Sequence, residues 1–266
     1  MLEQSKGCKV FDTRVVGIEI DEHGILPDAF AKVCETDRPK ILYCNPTIHN
    51  PTTSIPPESR RRSIAGIARK YGVTIIEDDV QAKLVPGAPP TIMSIAPDIA
   101  WYLMSVSKCT GMGLRTAFLV APEARALIDC VSPSRAFHPG LRRAYRRLSS
   151  LISFQTGAAD QIAASIRNEV TARQAIATET LSGFDFQTKS NAVHLWLSLP
   201  DQWSVREIIA AVRPYNVVIR SSDLFNAGGI TMPNKVRLSL VAACSRRDLA
   251  YAVTVIANNL RSEPKR

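Results

Sequence analysis

What this sequence lacks narrows its function first. No stretch approaches the roughly 18–20 continuous apolar residues that a membrane-spanning helix needs. The opening run, MLEQSKGCKVFDTR, has no apolar h-region, so no secretory signal is expected and the cytoplasm is the expected compartment. The six cysteines form no C-x-x-C pair and the four histidines are scattered, which argues against a zinc finger or another metal centre and for free thiols in a reducing compartment. There is no internal repeat and no low-complexity run. The basic clusters, Arg60-Arg61-Arg62 and Arg142-Arg143 with Arg146-Arg147, are not interleaved with aromatics. They sit in no helix-turn-helix or finger pattern and read as charged helix faces.

What is present is a globular composition. The chain has 266 residues, 45% of them apolar, with a net charge of +9. That length suffices for one large domain or two modest ones, and the charge suits an anionic ligand. Along the first half, strand-like and helix-like segments alternate: a β-rich run over 15–20, a turn at 21–24, a helix around 28–34, a strand over 41–44 and a helix over 57–71 that Gly72 stops. The run Val73-Thr74-Ile75-Ile76 reads as a strand buried on both faces, and it ends in Glu77-Asp78-Asp79. Further strands are expected over 99–104 and 115–120. Residues 121–181 read as mostly helical with a break near 134–140, and Gly183 closes the last helix. A smaller unit follows: an alternating strand over 193–199, a helix over 204–213, strands over 217–220 and 236–240, and a last helix capped by Ser245 with Leu249, Val253, Ile256 and Leu260 on one face. The order predicts an α/β fold with helices on both faces of a large-domain sheet, plus a smaller C-terminal α/β domain. The expected division is residues 1–148, connecting helices over 149–182, and 183–266.

In an open α/β sheet, ligands collect beyond the carboxyl ends of the strands. Asn50, Asp78, Ser105, Ser107 and Lys108 fall in such positions, and Arg115 follows the lysine by seven residues across a loop with Gly111 and Gly113. A lysine, an aspartate, hydroxyls and an arginine are what pyridoxal 5'-phosphate requires. The amine forms a Schiff base and moves a proton, the carboxylate keeps the ring nitrogen protonated, and hydroxyls with a guanidinium hold the phosphate.

The run Ser105-Val106-Ser107-Lys108 with Gly113-Leu114-Arg115 resembles the S-x-S-K-x-x-x-x-G-L-R signature of fold-type I aminotransferases. His49-Asn50-Pro51-Thr52 resembles their N-P-T/S-G segment, Ile75-Ile76-Glu77-Asp78-Asp79 their aspartate strand, and Val236-Arg237-Leu238-Ser239 their C-terminal R-L-S strand. Within that superfamily the sequence is most similar to the aminotransferase-like domain of GntR/MocR-type transcriptional regulators. The resemblance implies the PLP-dependent transferase (fold type I) architecture. It also implies transfer of an amino group between an amino acid and a 2-oxo acid, with Lys108 as Schiff-base former and proton shuttle. Asp78 would pair with the pyridine nitrogen, Asn50 would contact the ring oxygen, Ser105, Ser107 and Arg115 would hold the phosphate, and Arg237 would grip the substrate α-carboxylate. Many relatives carry a tyrosine two or three residues beyond the aspartate. Here Val80 and Gln81 stand there, and the Gln81 amide is the expected donor to the ring oxygen. Against the family the chain is expected to be N-terminally truncated, lacking a phosphate loop and a stacking aromatic, and to form a homodimer. The alternative implied functions are the non-catalytic effector-binding domain of such a regulator, with DNA a partner only through an upstream winged helix, or an inactive fragment.

Overall fold

The computed structural model describes residues 14–109, 116–126, 155–226 and 232–264. The chain falls into two compact units. Among the described residues, one is built of 18–49, 54–109, 116–126 and 155–167, and the other of 14–17, 50–53, 168–226 and 232–264.

The first unit opens with a small hairpin, β1 (Ile20–Asp21) and β2 (Gly24–Ile25), turning where the sequence places the turn. The β-rich run over 15–20 is otherwise not strand. Helix α1 (Pro27–Asp37) leads to β3 (Ile41–Cys44), α2 (Glu58–Tyr71), β4 (Thr74–Asp78), the short α3 (Ile92–Ile95), β5 (Ala100–Ser105) and β6 (Ala117–Val120). The sheet order is β3-β4-β5-β6. The first three strands are parallel and β6 runs antiparallel to β5. Helix α2 is preceded by Pro57, whose ψ of 163° marks the helix boundary, and stops at Gly72, which adopts φ 66° and turns the backbone so that the Val73 N–H reaches Ala68 O at 2.8 Å. That left-handed closure needs a residue without a Cβ.

One face of the sheet is dry. Phe30 and Cys34 of α1, Ile64, Ala65 and Ala68 of α2, and Ile92 of α3 pack on Leu42, Cys44, Ile75 and Ala100 of the strands. The other face is only partly covered: Ile41 and Tyr43 of the edge strand are exposed, and Thr74, Ile76 and Asp78 are half-buried. Strand β4 is therefore not buried on both faces as its apolar run suggests. Its apolar continuity comes from Val73, which precedes the strand in the core, and its dry face carries an acid, Glu77, fully buried beside Arg61.

That pairing corrects the reading of Arg60-Arg61-Arg62 as one charged face. Arg60 forks onto Asp21 at 3.0 and 3.2 Å, and Arg62 holds Glu58 one helical turn back. Arg61 points into the core, donating to Glu77 Oε1 (3.4 Å) and to the carbonyls of Pro46, Pro56 and Pro90 (3.1–3.2 Å). A planar fork with five donors can satisfy this many buried acceptors at once.

The second unit contains most of α4 (Ala158–Thr180), whose first turns belong to the other unit. Its sheet has the order β7-β8-β10-β9, formed by β7 (Phe186–Gln187), β8 (His194–Ser198), β9 (Arg220–Ser221) and β10 (Lys235–Ser239), all antiparallel. Helices α5 (Val205–Val212) and α6 (Arg246–Arg261) complete it. Both begin with a capping box, Ser204 with Glu207 and Ser245 with Asp248, which satisfies otherwise orphaned first-turn N–H groups. The expected face of α6 is the buried one: Leu249, Val253, Ile256 and Leu260 join the core with Leu195, Leu197 and Leu240. The expected alternation in β8 is absent, because His194, Leu195, Trp196 and Leu197 are all buried.

Candidate active site

The parallel strands deliver their carboxyl ends to one edge of the first sheet. Strand β4 ends at Asp78, and Asp78 is in register with Leu103, two residues before β5 ends at Ser105. The acid and the Ser-x-Ser-Lys segment thus leave the sheet on neighbouring strands, at the edge where α/β sheets bind ligands.

Asp78 is held by two residues of or just beyond β3. The Tyr43 hydroxyl donates to its Oδ2, and the Asn45 amide donates to its backbone carbonyl. Its other carboxylate oxygen, Oδ1, is buried and has no hydrogen-bond partner. Burial raises the carboxyl above its ordinary pKa, partly offset by the Tyr43 hydrogen bond. A buried carboxylate oxygen without a partner is costly, and a cationic N–H donor is the group that would relieve it. The protonated ring nitrogen of pyridoxal 5'-phosphate is such a donor, so the residues at this edge fit that cofactor.

After β5 the chain makes one tight helical turn over 106–108. Val106 and Cys109 point inward and pack with Ala163 and Phe118, leaving Ser107 and Lys108 half-buried between two anchors. The Val106 N–H donates to Thr116 O at 3.1 Å. Ser105 caps the turn: its Oγ accepts from the Ser107 N–H at 3.2 Å and lies 3.1 Å from the Ser107 hydroxyl. The two serines and the lysine are therefore gathered into one short motif. Arg115 lies outside the described residues, as does the Arg142–Arg147 cluster.

Gln81 sits in the turn after β4. It is 3% exposed, donates its Nε2 to Ile48 O at 3.0 Å and leaves its Oε1 buried without a partner. Asn50 and Arg237 belong to the other unit. Arg237 Nη1 donates to Asn50 Oδ1 at 2.8 Å. The guanidinium lies over the Phe225 ring, 5.2 Å from its centroid, and Phe225 meets Trp196 edge to face at 5.8 Å. Arg237 Nε is buried and has no partner. Strand alternation puts Arg237 opposite the core residues Val236 and Leu238, as the sequence pattern implies. The structure thus gathers Asp78, Gln81, Ser105, Ser107 and Lys108 in one unit, and Asn50 with Arg237 in the other.

Tyr43 belongs to none of the motif segments in the sequence, yet its hydroxyl holds Asp78. Its contact with Asp78 depends on β3 and β4 being neighbours in the sheet, with Tyr43 in register with Ile76. Sequence order alone does not give that adjacency. The aromatic pair Phe225 and Trp196 was hidden for the same reason.

A largely parallel sheet with an acid and a lysine-bearing turn at its carboxyl edge, joined to an antiparallel α/β unit, is the architecture of fold type I transferases. A crystal structure of LysN, alpha-aminoadipate aminotransferase from Thermus thermophilus, superposes with a TM-score of 0.86 at 22% identity, covering 98% of this chain and 69% of that one; that protein was crystallised with N-(5'-phosphopyridoxyl)-L-leucine. A Pyrococcus horikoshii kynurenine aminotransferase gives the same TM-score at 17% identity, with 98% and 67% covered. The chain belongs to the aminotransferase class I and II family, whose model matches residues 18–256. Among curated proteins it is 24% identical to an uncharacterized HTH-type transcriptional regulator, YdeF, of Bacillus subtilis, over 94% of this chain and 54% of that protein. It is 25% identical to a 2-aminoadipate transaminase of Thermus thermophilus, over 93% and 64%. The chain thus spans a little over half to about two thirds of these relatives' length. No helix among the described residues is long and apolar enough to cross a membrane. The four described cysteines, Cys34, Cys44, Cys109 and Cys244, are free thiols.

Proposed function

We propose that this chain is the cofactor-binding body of a pyridoxal 5'-phosphate-dependent aminotransferase, moving an amino group between an amino acid and a 2-oxo acid. The observation that carries the reading is Asp78: a buried carboxylate with one oxygen held by Tyr43 and the other unpaired, one strand away from the Ser105–Lys108 turn. When bound, the cofactor supplies an electrophilic aldehyde and a ring that accepts electrons. Asp78 Oδ1 accepts the ring N–H, and Tyr43 keeps the carboxylate aimed and ionised. Lys108 Nζ provides the amine that would hold the aldehyde and, once released by substrate, would take the proton from the substrate α-carbon. The hydroxyls of Ser105 and Ser107, with Arg115, bind the phosphate. Asn50 donates its amide N–H to the ring oxygen while its Oδ1 accepts from Arg237. Arg237 takes the substrate α-carboxylate with its free Nε edge, against the Phe225 face.

The test is to titrate purified protein with pyridoxal 5'-phosphate. A visible absorbance band that is absent in Lys108→Ala supports the reading, and soluble folded protein that develops no band refutes it. A second reading is favoured by the likeness to an HTH-type regulator: the same site binds the cofactor or its amino-acid adduct as a signal, without turnover. Single-turnover mixing with an amino acid separates the two, since only the enzyme releases a 2-oxo acid and leaves pyridoxamine phosphate.

A further inference from the structure

We infer that Gln81 is a positioning residue: it fixes the loop that carries Asn50 by holding the carbonyl of Ile48. The inference rests on the roles proposed above for Lys108 and Asn50, and it changes the role that sequence position alone gives Gln81.

The chemistry of the amide fixes which end holds the loop. Ile48 O can only accept, so the group 3.0 Å from it must be the Gln81 NH2 end. Its other end, Oε1, can only accept and has no partner. A tyrosine at this position has one proton to give and can give it to the ring; this glutamine commits one of its two amide protons to the loop.

The loop needs a tether. Ile48 is fully buried and holds φ 59°, in the left-handed region that a β-branched residue disfavours; Thr53 at φ 63° does the same five residues on. Such backbone persists only where its surroundings enforce it. Within its own unit three restraints are visible. Arg61 grips the carbonyls of Pro46 and Pro56 at the two feet of the loop, the His49 N–H donates to Ser54 O at 2.9 Å, and Gln81 holds Ile48 from the end of the aspartate strand. Asn50 follows Ile48 by two residues. Losing the Gln81 bond frees the strained peptide nearest to it.

Two measurements test this on the whole chain. In the first, the ligand-free protein is treated with thermolysin, which cuts before apolar residues and finds Ile48 and Ile55 in this loop. Cleavage within 46–56 should be about fivefold faster in Gln81→Leu than in wild type, as expected for one lost tether on a locally opening segment; an unchanged rate overturns the inference. In the second, the protein is loaded with pyridoxal 5'-phosphate and the pH midpoint of its visible band is measured. Gln81→Leu should move the midpoint in the same direction as Asn50→Ala, by less, and should add nothing in the Asn50→Ala background. A shift of equal size with and without Asn50 means that Gln81 acts on the ring directly, and overturns the inference. If Gln81→Leu does not fold, Gln81→Asn keeps an amide too short to reach Ile48 O. It should behave as the leucine variant does in both assays, and wild-type behaviour in both again overturns the inference. A wild type without any band, but with the proteolysis difference intact, would remove the cofactor reading and leave the tether standing.

Discussion

Replacing Arg61 by methionine tests the structural logic beneath the site. Arg61 and Glu77 have side chains with no solvent exposure. Glu77 also accepts from the Ile92 and Met93 N–H groups at 3.0 and 2.9 Å, yet its carboxyl stays above the ordinary range because burial outweighs these bonds and the nearby guanidinium. Removing one member of a buried pair costs about 3–5 kcal/mol, because the other charge is left uncompensated. The carbonyls of Pro46, Pro56 and Pro90 lose their donor at the same time, at about 1–3 kcal/mol each. Against a total stability of about 5–15 kcal/mol, Arg61→Met should be folded weakly or not at all at pH 8. Its deficit should shrink on acidification. Without Arg61 the folded-state pKa of Glu77 rises further above the unfolded value, so stability falls as pH climbs from the unfolded value through the folded one, and is regained below that window. Urea unfolding followed by tryptophan fluorescence at pH 5 and pH 8 reads both effects. A loss below about 1 kcal/mol at pH 8, or a deficit independent of pH, would refute the argument. Arg61→Lys should recover only part, since an ammonium cannot span four acceptors on both sides of a planar fork.

Three further outcomes follow from the same reasoning. Burial pushes the His49 imidazole down to about 4. The unfolded chain therefore takes up a proton that the folded one resists, and stability should drop by about 2–3 kcal/mol between pH 7 and pH 4.5; His49→Gln should flatten that part of the curve in denaturant titrations. Glu169 is held by Arg246 and Arg173 and sits at about 2; its contribution is present above the ordinary carboxylate range and is lost as pH falls towards 2. Because Glu169 and Arg246 are exposed, Glu169→Gln should move the melting temperature little, whereas Arg173→Ala, which also orphans Leu240 O and Ala243 O, should cost about 1–3 kcal/mol per unsatisfied carbonyl. Tyr43→Phe should weaken pyridoxal 5'-phosphate binding about tenfold in equilibrium dialysis, the effect of one lost charge-assisted hydrogen bond on Asp78; unchanged affinity would deny Tyr43 its role.

Local signals that act within a few residues were legible in the sequence. Strand 41–44 emerges with the bounds expected of it, Gly72 stops its helix, and Ser245 caps a helix whose four apolar positions all face the core. The motif segments that point to the family are likewise contiguous runs. What escaped depends on partners distant in sequence. Arg61 differs from Arg60 and Arg62 only by the direction in which the helix turns it. The antiparallel course of β6 and the two-residue strands β7 and β9 are set by neighbours in the sheet, not by their own composition. Of the site residues, Asp78 and the Ser105–Lys108 turn could be placed at the sheet edge by strand order, while Tyr43 required the register between β3 and β4. Gln81 was visible as a candidate, but its hydrogen bond to Ile48 was not.

In the function proposed above, Lys108 is the group that holds the cofactor. Borohydride reduction of protein mixed with pyridoxal 5'-phosphate, followed by peptide mass mapping, tests it most directly. A phosphopyridoxyl mass is expected on Lys108 at near-stoichiometric yield, and none anywhere on the chain in Lys108→Ala. Label scattered over surface lysines, with Lys108 unmodified, would contradict it.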